Sequence, residues 1–138
     1  RRKVLEIIME KYVMNIKKEQ GMKLLELKSL WEYRRRKSKI NVGDKIILYA
    51  AAQHSELIGE FTVGILIGTS NELWEKTKDD ICYKKEEVIF YLESGNFPIA
   101  LRVSNPRIYG SPVSIDKIPF LRPPMSYCKA LEQALSIL

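Results

Sequence analysis

The sequence predicts an α+β domain in which helices decorate an antiparallel sheet or small barrel, and three observations carry that expectation. Strand-like and helical stretches follow one another as strand, helix, several strands, two helices, strands and helix, not as regular strand–helix repeats. Glycines fall inside the longest strand candidate, where a missing Cβ lets a ladder bulge or turn a barrel corner. At 138 residues the chain is long enough for one ordinary hydrophobic core and short for two.

The elements follow in order. Residues 1–12 place Val4, Leu5, Ile8 and Met9 at helical spacing and read as an N-terminal helical extension to a single domain over 13–138. Val13 to Lys17 reads as a strand, and Gln20 to Leu27 as a short helix with Met22, Leu24, Leu25 and Leu27 as its apolar positions. Leu30 to Arg34 alternates bulky and charged side chains as a half-buried strand does, and Val42-Gly43-Asp44 marks a tight turn. Lys45 to Ala50 is nearly all apolar, the mark of a strand covered on both faces. Leu57 to Ile67 is the strand interrupted by Gly59 and Gly64.

Thr69 and Glu72 have capping-box spacing ahead of a helix through Leu73, Trp74 and Thr77. Lys84 to Leu92 fits a second helix with Gly95 as its stop. Pro98 opens a strand over Ile99 to Val103, and a separate extended piece from Ile108 or Tyr109 ends at a Gly110-Ser111-Pro112 turn. Residues 126–138 read as a closing helix with Leu131, Leu135 and Leu138 on one side.

Composition narrows the function classes. A hydrophobic fraction of 46% with 29% charged residues fits a soluble protein, and no apolar run approaches the ~20 residues a membrane helix needs. The first residues lack the apolar core of a signal peptide, so a cytoplasmic location is the expectation. Cys82 and Cys128, far apart and without metal-ligand spacing, read as reduced core residues. No metal or cofactor motif occurs: the chain holds no phosphate-cradling glycine loop, no G-x-S-x-G elbow and a single histidine, His54, with no evident partner.

The net charge of +6 is unevenly distributed. Residues 1–45 carry 14 Lys/Arg against 6 Asp/Glu, and the remainder carries 9 against 11. Such asymmetry favours an anionic partner, with solvated helix surfaces as the plainer explanation. Five cations lie within residues 34–39, and planar guanidinium groups engage two phosphate oxygens at once. On a strand Arg34 and Arg36 share one face with Glu32, so an internal ion pair competes with ligand binding for Arg34. Trp31 and Trp74 read as core aromatics; Tyr49 and Tyr127 could equally be core or stack on a base.

Four stretches, taken in order, resemble the ASCH branch of the PUA-like superfamily. They are Val13-Met14-Asn15-Ile16-Lys17 leading to Trp31-Glu32-Tyr33-Arg34-Arg35-Arg36; Val42-Gly43-Asp44 with Ile47-Leu48-Tyr49-Ala50; Ile58-Gly59-Glu60-Phe61 with Glu72-Leu73-Trp74-Glu75-Lys76; and Arg122-Pro123-Pro124-Met125-Ser126-Tyr127. The resemblance implies a small, strongly coiled antiparallel β-barrel decorated by helices, beside a cleft lined by Glu32, Tyr49, Ala50, Arg122, Ser126 and Tyr127. Relatives bind RNA, read modified bases or, in one branch, hydrolyse the amide of an acylated nucleoside. That branch uses a Gly-x-Lys pattern before the Glu-x-Arg strand; here Leu27-Lys28-Ser29 stands in its place, with the lysine one position early.

The reading these features favour is a non-catalytic module that binds RNA or a nucleotide-like anion through Lys17, Lys18, Arg34 and Arg36. The alternatives are a small amidohydrolase using Lys28 and Glu60, and a regulatory domain sensing a small anion. No cofactor is called for by any of the three.

Overall fold

A strand covered on both faces sends alternate side chains into different cores, and Lys45–Ala50 does so: Ile46, Leu48 and Ala50 join one buried cluster, Ile47 and Tyr49 another. The computed structural model describes residues 9–35, 38–51, 55–68, 72–95, 97–118 and 127–129. Its strands are β1 (Lys11–Asn15), β2 (Trp31–Arg34), β3 (Lys45–Ala50), β4 (Glu56–Ile67), β5 (Ile99–Ser114) and β6 (Tyr127–Lys129). Its helices are α1 (Lys18–Leu25), α2 (Leu73–Thr77) and α3 (Lys85–Glu93). The strands form one sheet in the order β2-β5-β4-β3-β1-β6, curled into a half-barrel.

Every pairing is antiparallel except β1 with β3, which run parallel because α1 and β2 intervene and return the chain to the same end. The domain is thus α+β with a mixed sheet, one pair short of the fully antiparallel expectation. β1 also begins at Lys11, so Lys11 and Tyr12 belong to the sheet and not to a helical extension; residues 1–8 lie outside the described residues. Tyr127–Lys129, expected as the start of a helix, is instead strand β6, which supplies ladder partners to the outer edge of β1 through Val13 and Cys128. The rest of that expected helix lies outside the described residues, as do Thr69 to Asn71 of the capping box. Cys82 is exposed, not a core residue.

The curl comes from irregularities in the β4–β5 ladder. Pairing shifts by one between Glu60↔Arg107 and Thr62↔Ser104, which puts an extra residue on β5 where Asn105 takes a left-handed φ of 46°. A second shift between Val63 and Leu66 places the extra residue on β4 beside Gly64. Leu57↔Val113 and Gly59↔Ile108 leave Gly110-Ser111-Pro112 bulged out of a continuous strand. The two extended pieces expected over 99–109 are therefore one 16-residue strand that bends.

α1 packs on the sheet through Leu24 and Leu25, in the cluster of Ile46 and Leu48. Gly59 permits the approach: a Cβ there would sit 2.5 Å from Leu25 Cδ1 and 2.6 Å from the Arg107 carbonyl oxygen. α2 and α3 cover Trp31, Tyr33 and Ala100 with Leu73, Val88 and Leu92, and Tyr33 and Thr77 share a 2.6 Å hydrogen bond between their hydroxyls. Trp74 packs against the same cluster. Gly95 does not end α3 by a left-handed turn; a Cβ there would collide with the main chain of Arg35. Asp44 secures the loop before β3, accepting from the Asn41 N–H at 2.8 Å and the Glu10 N–H at 3.1 Å.

α1 ends in a Schellman arrangement. Lys28 N–H donates to the Lys23 carbonyl at 2.9 Å and Leu27 N–H to the Leu24 carbonyl at 3.1 Å. The residue at the left-handed position is Leu27, with φ 59° and half its surface exposed. A leucine pays steric strain there of about 1 kcal/mol that glycine avoids. Leu27→Gly is therefore expected to raise stability by roughly 0.5–1 kcal/mol in chemical denaturation; a loss of stability would show that the exposed leucine contributes packing beyond the cap.

Candidate functional site

Where β1 ends, α1 begins and β2 runs out, the curled sheet leaves a cleft of about 320 Å³ lined by Asn15, Ile16, Lys17, Gln20, Glu32, Arg34, Ala51 and Tyr91. Strand alternation fixes the two charged groups at its floor. Glu32 and Arg34, two residues apart on β2, point to the same face. Glu32 is only 2% exposed. Its Oε1 accepts from the Gln20 side chain at 3.0 Å and its Oε2 lies 3.7 Å from Arg34 Nε. Arg34 Nη2 donates to the Asn15 carbonyl at 3.0 Å, which ties the end of edge strand β2 to the end of β1.

Burial raises the Glu32 pKa above the usual carboxylate value, and the Arg34 charge and the Gln20 hydrogen bond only partly offset it. Lys17 is exposed at the rim, extended in backbone conformation just ahead of α1. A second cavity of about 190 Å³ shares the Gln20 and Tyr91 walls and continues between α1, β2 and α3, with Tyr33, Tyr83, Glu87 and Val88 as its other walls.

The predicted site residues thus separate into groups. Lys17, Glu32 and Arg34 meet at the cleft. Lys18 turns away and pairs with Glu56 at 3.2 Å. Tyr49 and Ala50 are buried in the two clusters flanking β3, and Ala51 is the residue of that segment in the cleft wall. Arg36, Arg122 and Ser126 lie outside the described residues, as does the side chain of Tyr127. Arg35 leaves the strand to lie 5.0 Å from the Tyr91 ring centroid.

The alternative pair, Lys28 and Glu60, is not one site. Lys28 follows α1 into solvent and sits 3.8 Å from Glu26. Glu60 lies opposite Ile47 in the ladder, on the face of the sheet away from α1. There it takes 2.8 Å contacts from both Lys45 and Arg107 and a 3.1 Å hydrogen bond from Tyr109. Burial works to raise its pKa, but the Lys45 and Arg107 hydrogen bonds outweigh that and hold it below the usual value. Ser29, which occupies the register of the lysine in the Gly-x-Lys pattern, is fully buried. Among the described residues no group of three His, Cys, Asp or Glu side chains is placed to hold a metal, and no helix is long and apolar enough to cross a membrane.

Sequence reasoning missed Asn15, Gln20, Tyr83, Glu87 and Tyr91. The signal for Glu87 and Tyr91 was their four-residue spacing, which puts both on one side of α3; nothing local says that this side faces β2.

Titration of the two buried carboxylates, followed by carboxyl ¹³C shifts against pH, should place Glu32 above the ordinary glutamate range and Glu60 below it. For Glu32 the folded state binds the proton more tightly, so its contribution to stability falls as pH rises from the unfolded value through the folded one. For Glu60 the contribution is present above the unfolded value and is lost as pH falls through the folded one. Ordinary midpoints for both would contradict this account of the two environments.

No family model matches the sequence, and neither does any curated protein. Solved structures do match. The ASCH protein from Zymomonas mobilis is similar with a TM-score of 0.81 and 17% identity, over 92% of this chain and 92% of that one. A tyrosine-to-phenylalanine mutant of that protein gives 0.82 at 16% identity, covering 93% and 95% of the two chains. A serine-to-alanine mutant gives 0.81 at 16%, covering 93% of each. The likeness runs over almost the whole length and is one of fold, which this chain therefore shares: it has the α+β, PUA-like architecture of ASCH proteins.

Proposed function

We propose that the chain is a binding module for RNA or a nucleotide-like anion, held in the cleft between α1 and the ends of β1 and β2. The observation that carries this reading is the pinning of Arg34. Its guanidinium is held by a main-chain carbonyl and a buried carboxylate, and it lines a cleft with Lys17 at the rim. A guanidinium fixed in this way meets a phosphate without first losing side-chain freedom. Gln20 and Glu32 add one amide and one carboxyl group, which suit hydroxyl and amino groups of a sugar or base. The volume lies at the lower end of the range for small-molecule sites, about 300–1,000 Å³.

The charge asymmetry of the sequence supports the reading less than its total implies. Lys18, Lys23, Lys28 and Lys45 all lie within 4 Å of a glutamate, so four of the 14 cations in residues 1–45 are paired locally. Among the described residues, Lys17 is the exposed cation in the cleft wall. Lys28 and Glu60 do not meet, so the reading involves no catalytic step through them.

Affinity for single-stranded RNA, measured across salt concentration, tests the proposal. Binding should weaken with a log–log slope of about −0.7 for each phosphate neutralised, and Lys17→Ala should make that slope shallower by about 0.7. Arg34→Lys, which keeps the charge beside Glu32 but removes the planar fork, should weaken binding roughly tenfold. No binding at low salt would overturn the reading.

A further inference from the structure

The second cavity has a property that the cleft alone does not explain. Tyr83 lies in its wall with a buried hydroxyl that has no hydrogen-bond partner among the described residues. Buried phenols normally find a partner, because an unmade hydrogen bond away from water is costly. Burial raises the Tyr83 pKa, and the nearby Cys82, Glu32, Glu19 and Glu87 reinforce the shift, so the group is a neutral O–H, donor and acceptor at once. Glu87, in the same wall, is an acceptor when ionised.

Three tyrosines, Tyr33, Tyr83 and Tyr91, give the cavity aromatic walls. Lys23 lies 5.3 Å from the Tyr83 ring centroid and Arg35 5.0 Å from that of Tyr91, so two of the three rings are also held by a cation. A volume of about 190 Å³ suits one planar ring system. With Lys23 paired to Glu19, the carboxylate in the wall, Glu87, favours a ring edge that donates.

We infer that this cavity is a nucleobase subsite, and that it prefers a base bearing an exocyclic amino group. The inference rests on the nucleotide reading of the neighbouring cleft and extends it. Gln20 and Tyr91, shared by the two cavities, would flank the sugar, while the phosphate lies toward Lys17 and Arg34 and the base amino group reaches Tyr83 and Glu87. The ligand class is then an aminated nucleotide, free or as one residue of a single-stranded RNA.

Calorimetric titration with adenosine monophosphate, inosine monophosphate and ribose 5-phosphate separates the two claims. The unaltered protein should bind the adenine nucleotide about tenfold more tightly than the inosine nucleotide. Tyr83→Phe, which keeps the ring, should abolish that preference and leave ribose 5-phosphate affinity unchanged. Glu87→Gln should reduce it. The thermal midpoint of Tyr83→Phe should equal or exceed that of the unaltered protein, because the substitution removes an unpartnered hydroxyl. Equal binding of both nucleotides by the unaltered protein, or a preference that survives Tyr83→Phe, overturns the base subsite and leaves the cleft reading standing. Failure of all three ligands and of single-stranded RNA to bind overturns both.

Discussion

Arg34 donates to the Asn15 carbonyl across the mouth of the curled sheet, and much of the site's geometry follows from that contact. In the sheet order β2 is an edge strand and three strands separate it from β1. A flat sheet would hold the two ends some four strand spacings apart, each of ~4.8 Å. The 3.0 Å hydrogen bond exists because the bulged β4–β5 ladder bends the sheet until those ends meet. Glu32, on the same face of β2, is then enclosed by α1. A carboxylate so placed needs compensation, which Gln20 and Arg34 provide only in part. Removing one partner of a buried ion pair commonly costs about 3–5 kcal/mol, so Glu32, Arg34, Gln20 and Asn15 behave as one unit joining β2, α1 and β1.

Two carboxylates, Glu32 the more deeply enclosed of the pair, show how burial and donors together set chemistry. Glu60 receives two cationic donors and a tyrosine hydroxyl, and its pKa is held down. Burial pushes the Glu32 pKa up, and the guanidinium at 3.7 Å, the Gln20 amide and the Tyr33 backbone N–H offset it only in part. The first is a satisfied structural knot on the face away from α1. The second keeps a proton more readily and borders a cleft, the combination that distinguishes groups able to exchange contacts with a ligand from groups already saturated.

Much of the fold was legible in the sequence, for reasons that can be named residue by residue. Lys45 to Ala50 had to be covered on both faces because it offers no polar face, and Gly59 and Gly64 lie where the ladder shifts. The errors have physical causes as well. Asn105-Pro106 and Gly110-Ser111-Pro112 are turn-forming residues, yet in the long paired strand β5 they make bulges. β6 has no local strand signal because its partner, the outer edge of β1, lies far away in sequence. At the site, Glu32 and Arg34 were visible through two-residue spacing, and Lys17 through charge. Tyr49, open between core and cleft in the sequence, lies in a core because an aromatic in a doubly covered strand has a core on each side to enter. Tyr83 and Tyr91 stayed hidden because their importance depends on how α3 packs against β2.

The charges around the two cavities are not arranged as a uniformly basic patch. Lys17 and Arg34 stand on one side; Glu87 and Tyr83, with Glu19 nearby, stand on the other. A small polyanion would gain at the first end and lose at the second, whereas a molecule with an anionic end and a hydrogen-bond-donating ring gains at both. On the proposed reading, the Lys17 and Arg34 end and the Glu87 end would orient such a ligand by charge sign, Lys23 being paired with Glu19. The local pairing of Lys18, Lys23, Lys28 and Lys45 sharpens this effect, since fewer competing cations on α1 and β3 remain to hold a phosphate in the wrong place. For this fold the informative quantity is not the excess of lysine and arginine in the first third of the chain. It is which of those residues the neighbouring carboxylates leave to the cleft.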